Sequence, residues 1–75
     1  MTNEEVAKKI GENVKKYRKL RKYTQARVAE EIGINRSLIS KMETGKYLPT
    51  VTVLLEISRM LDIELICFFI GVSSL

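Results

Sequence analysis

The chain has no histidine and only one cysteine, Cys67, in 75 residues. Those two shortages exclude a Cys/His metal site and an internal disulfide, and they point to a reduced, cytoplasmic setting with no metal or other cofactor. Enzymatic chemistry is not expected either. No nucleophile stands beside a base in a recognisable motif, and the carboxylates are scattered over helical surfaces. Long apolar runs are also missing: the longest, Leu65 to Ile70, has six residues, against the roughly twenty that span a bilayer. No basic-plus-apolar signal segment opens the chain, so a soluble protein with no membrane partner is expected. Strand patterns, repeats and low-complexity stretches are absent, and the length suits one small all-α domain, residues 1–75, with a marginal core.

Positive charge is plentiful. The net charge is +4 with a pI near 9.4, and it is unevenly placed. Through Lys46 there are twelve Lys/Arg against six Asp/Glu, a net of +6; from Tyr47 onward there is one against three, a net of −2. A cationic front with a mildly acidic, apolar back suits a protein that neutralises phosphates on one side and packs against protein on the other. A solvated basic face without a partner has the same composition.

Helical periodicity accounts for most of the chain. Thr2 and Glu5 have capping-box spacing, which predicts a first helix from Asn3 to about Arg21 with Val6, Ile10, Val14 and Tyr17 as its buried stripe. Its lysines and Arg21 read mainly as solubilising charge. Gly11 either permits a close helix approach or is simply tolerated. Thr24 caps a second helix carrying Val28, Ala29 and Ile32, which stops at Gly33. Asn35 caps a third with Ile39 and Met42 on its inner face and Gly45 at its stop. Three residues between two short helices make a helix-turn-helix and leave the polar face of the second free to project. Pro49 keeps the residue before it out of a helix, Thr50 caps a fourth helix, and Val51, Leu54, Ile57, Ser58 and Leu61 are its expected inner stripe. Asp62 and Ile63 break it. The segment from Leu65 to Gly71, apolar almost all round, reads as a fifth helix.

In that register Arg18, Thr24-Gln25, Val28-Ala29-Glu30, Gly33-Ile34, Ser37, Ile39-Ser40-Lys41, Glu43, Gly45, Pro49 and the Leu54, Ile57, Leu61 spacing fall together. With them the sequence from about Ile10 to Phe69 resembles the Cro and phage-repressor (XRE-type) helix-turn-helix regulators. The resemblance implies a compact five-helix, lambda-repressor-like DNA-binding domain with helices 2 and 3 as the helix-turn-helix. It further implies a sequence-specific regulator of transcription, a repressor or autoregulator, bound to double-stranded DNA. Carried over by position, Arg36, Ser37, Ser40 and Lys41 would contact base edges in the major groove, where an arginine can donate twice to guanine. Gln25, Asn35, Lys46 and Tyr47 would contact the DNA backbone. Leu38 lies at the edge of the same surface, where it would touch DNA or be partly buried against the first helix. Arg18 and Glu43 match a buried structural ion pair.

Three positions depart from that pattern. Arg27 stands where relatives usually carry glutamate, which removes a capping box and offers one further backbone contact. Lys22 and Asp62 replace glycines at helix ends, so those turns are expected to be strained or reshaped. One recognition helix covers only a few base pairs, so a homodimer on a palindromic operator is expected. Its interface would lie in 62–75, through Ile66, Cys67, Ile70 and Val72. The same fold also serves as a protein-binding module, such as an antitoxin that neutralises a partner. In that reading the apolar last segment would hold the other protein.

Overall fold

The computed structural model describes residues 1–73. Thr2 starts the longest helix, α1 (Asn3–Leu20), with a complete capping box. The Glu5 amide donates to Thr2 Oγ1 at 3.2 Å and the Thr2 amide donates to Glu5 Oε1 at 2.9 Å. The Thr2 amide foremost, and the Thr2 hydroxyl after it, hold the Glu5 carboxyl below its ordinary range. Both favour the ionised form, so the box contributes fully above the ordinary glutamate range and is lost as pH falls through the depressed value. Three more helices follow: α2 (Gln25–Ile32), α3 (Arg36–Glu43) and α4 (Val51–Leu61), capped by Thr24, Asn35 and Thr50.

All four helices stop in the same way. An amide just beyond each end donates back five residues, Tyr23 to Arg18, Ile34 to Ala29, Lys46 to Lys41 and Ile63 to Ser58. That closure requires a left-handed residue, supplied by Lys22 (φ 64°), Gly33 (φ 73°), Gly45 (φ 77°) and Asp62 (φ 54°). The two non-glycine turns therefore keep their shape and carry backbone strain of about 1–2 kcal/mol each.

The core lies where the four helices converge on Ile10, Val14, Val28, Ala29, Ile39, Met42, Leu54, Ile57, Leu61 and Phe68. Burial of the stripes on α1, α2 and α3 follows the 3.6-residue period. On α4 it fails at one position: Val51 is 62% exposed. Gly11 is buried where α1 crosses α3, and a Cβ there would overlap the Met42 carbonyl oxygen. Gly11 is thus a close-approach residue.

The expected fifth helix is absent. Leu65–Phe69 forms a short 3-10 turn, entered from Glu64 without a side-chain cap. Ile70 is extended (φ −60°, ψ 125°) and Gly71 is left-handed (φ 83°). Asn13, buried on α1, donates its Nδ2 to the Phe68 carbonyl at 2.8 Å and to the Ile70 carbonyl at 2.9 Å. Those side-chain bonds satisfy carbonyls at the end of the turn and bring Phe68 into the core, edge-on to Tyr17 at 6.4 Å. Among the described residues no helix is long and apolar enough to cross a membrane.

Candidate nucleic-acid interface

The helix-turn-helix is seated on its apolar side. Ile39 and Met42 are fully buried, and Glu43 lies with them. The opposite side of α3 is therefore committed to solvent. Ser37 and Lys41, four residues apart, run along its centre, both exposed, with half-buried Ser40 and Leu38 on its two margins and exposed Arg36 at its N-terminal end. No carboxylate stands on that face. Leu38 is thus partly covered, as the alternative reading of that position required, while the four polar residues share one surface.

The N-terminus of α3 is held by Asn35, whose Oδ1 accepts from the Ser37 amide and the Ser37 hydroxyl, each at 3.0 Å. The oxygen of Asn35 is thereby occupied, and its amide nitrogen remains the outward donor. At the other end Lys46 is exposed and Tyr47 is half-buried against the core.

Behind α3 a buried polar network fixes its position on α1 and α2. Arg18 Nε donates to Glu43 Oε2 at 2.6 Å and Arg18 Nη2 to Glu43 Oε1 at 3.0 Å. The remaining nitrogen, Nη1, donates to the Tyr23 carbonyl at 2.7 Å. Gln25 Nε2 donates to Glu43 Oε1 at 3.0 Å, which leaves one N–H of its amide available. With side-chain exposures of 9% and 2%, the ion pair is a structural unit, and removing one partner would leave a buried charge at a cost of about 3–5 kcal/mol. Gln25 is thus an orienting contact within the domain whatever else it binds.

Arg27, the other first-turn position of α2, is exposed and donates Nε to Glu31 at 2.9 Å, with its guanidinium over the Tyr23 ring at 5.8 Å. The bond and charge of Glu31 raise its pKa. Two residues that sequence reasoning passed over are part of this scaffold. Asn13 has been described; Arg21, read as a solubilising charge, donates to the Leu61 carbonyl at 2.9 Å and the Asp62 carbonyl at 3.2 Å, closing the end of α4. Asn13 lies on the buried face by spacing, three residues after Ile10 and four before Tyr17, but its polar type does not mark it as core, and Arg21 lies just past a helix end.

The C-terminal surface is smaller than expected. Ile66 and Ile70 are 73% and 54% exposed, Cys67 is half-buried, and Val72 is half-buried against the core instead of facing outward. The loss of the fifth helix explains Val72, because the extended backbone at Ile70 and the turn at Gly71 fold the chain back onto α1. Residues 74 and 75 of the expected interface segment lie outside the described residues.

Known proteins share both the sequence and this geometry. The family described as Helix-turn-helix (HTH_3) matches residues 14–66. The chain is 39% identical over 56 residues to the uncharacterized HTH-type transcriptional regulator YqaE of Bacillus subtilis, covering 75% of this chain and 48% of that protein. It is 40% identical over 57 residues to the cryptic phage CTXphi transcriptional repressor RstR of Vibrio cholerae, covering 76% of this chain and 51% of that one. The chain thus spans about half the length of these two regulators. The crystal structure of the restriction-modification controller protein C.AhdI from Aeromonas hydrophila superposes with a TM-score of 0.79 at 25% identity, covering 84% of this chain and 96% of that one.

Proposed function

Because the chain belongs to the helix-turn-helix (HTH_3, XRE-type) family, whose members include the transcriptional regulators and repressors it resembles, we propose that it binds double-stranded DNA sequence-specifically. It acts as a homodimeric repressor or autoregulator on a palindromic operator. One observation carries this reading: α3 presents Arg36, Ser37, Ser40 and Lys41 on one outward face free of carboxylates, while its only acid, Glu43, is buried and paired. In a major groove Arg36 donates to a guanine edge, Lys41 to a second guanine or a phosphate, and the two serines to whichever base edges lie between. Gln25, Arg27, Asn35 and Lys46 hold the backbone, with Tyr47 beside them and Leu38 at the margin. Exposed Ile66 and Ile70, with Cys67 between them, form the surface through which two copies pair. Selection of bound sequences from random duplexes, repeated with Arg36→Ala, tests this. Base readout gives relaxed preference at one symmetric pair of positions and a loss of about 1–3 kcal/mol. Equal weakening on every sequence would refute the role of Arg36.

A further inference from the structure

The turn between α1 and α2 holds a second concentration of positive charge that the outward face of α3 does not use. A shallow cleft of about 360 Å³ opens there, lined by Arg21, Lys22, Tyr23, Thr24 and Arg27. Three of these five side chains are cationic and none is acidic. Arg21 donates to the Leu61 and Asp62 carbonyls and makes no ion pair among the described residues. Arg27 lies against the Tyr23 ring and shares its charge with Glu31. Lys22 is exposed, and its ammonium has no ion-pair partner among the described residues. It is also placed at a cost: with φ at 64° it occupies a conformation in which glycine would be relaxed. Thr24, which lines the cleft, caps α2, so the positive end of that helix borders the same space.

We propose that this cleft receives a phosphodiester of the DNA backbone, beside the one held by Gln25, with Lys22 as its principal cation. The proposal rests on the DNA-binding reading above, because that docking brings the backbone past the start of α2. An isolated phosphate ester has the same chemistry, but the cleft is open and immediately precedes Gln25 in the chain, which suits a continuous strand. Lys22 would add affinity without sequence preference, since a phosphate contact carries no base information.

The test is Lys22→Gly, which removes the charge and relieves the backbone together, measured with full-length protein across a range of salt. Loss of one phosphate contact from each subunit of the dimer, two per complex, lowers the salt slope by about 1.8 and, referred to 1 M salt, weakens binding at 0.1 M by about sixtyfold. The loss should be equal on the selected operator and on unrelated duplex. The melting temperature should equal or exceed that of the wild type, so a folding defect cannot account for the loss. Lys16→Gln removes the same charge from a lysine that does not line the cleft, its ammonium lying over Tyr17, and should leave the slope unchanged. An unaltered slope for Lys22→Gly, with the wild type still selecting its operator, would overturn the proposal alone. So would amide shifts in the cleft on adding inorganic phosphate if DNA affinity were unaffected by the substitution. A wild type that selects no sequence would overturn the DNA reading itself.

Discussion

At the scale of single residues, the decisive positions are those where two helices compete for the same space or a charge is buried. Gly11 is the sharpest case. Alanine is the better helix former by about 1 kcal/mol, yet its methyl would overlap the Met42 carbonyl oxygen at the α1–α3 crossing. Backbone cannot swing aside as a side chain can, so the clash outweighs propensity. Gly11→Ala should lower stability by about 1–3 kcal/mol, readable as a reduced urea midpoint, and should weaken operator binding because α3 is displaced. Sequence reasoning recognised the choice between tolerance and close approach. It had no means to decide, since the approach distance belongs to a pair of helices. The Arg18–Glu43 pair, by contrast, was expected from the family pattern, and the atoms meet at 2.6 Å.

At the scale of elements, the three short helices α2, α3 and α4 were legible because their signals are local. Each opens on a Thr or Asn whose side chain accepts an amide bond from the first turn. The C-terminal segment was misread because its outcome is not local. Its apolar composition favours burial in any conformation, and Asn13, more than fifty residues away, fixes it as a 3-10 turn through two carbonyls. Asn13→Leu keeps the volume and removes both bonds. It should cost about 1–3 kcal/mol by leaving the buried Phe68 carbonyl without a partner. Amide exchange in residues 65–70 should accelerate more than in α2 or α3, which distinguishes release of the segment from general destabilisation.

At the scale of the whole molecule, the question is how two copies would meet. The N-terminal part through Lys46 carries the positive excess, and the exposed Ile66 and Ile70 lie in the C-terminal part, which has a net negative charge. Two copies are proposed to pair through Ile66 and Ile70. If they do, Ile66→Asp combined with Ile70→Asp should give a monomer by sedimentation at micromolar protein. Operator affinity should fall by roughly a hundredfold or more, since the second subunit then binds without the benefit of linkage. Thermal stability should change little, because both side chains are solvent-exposed in the single chain. Retention of the wild-type mass would remove these two isoleucines from the interface.

Periodicity, caps and charge distribution determined where the four α-helices begin and end and which side of α3 faces solvent, because each depends on residues within a few positions of one another. At Lys22 and Asp62, where the family resemblance left a strained or a reshaped turn open, the chain keeps the left-handed, strained one. Only the tertiary structure decided that Gly11 is a contact, that Val51 is exposed, that Val72 turns inward and that Arg21 and Asn13 are anchors. These depend on which surfaces meet after the chain has folded back on itself, and no short window of sequence contains both sides of such a contact.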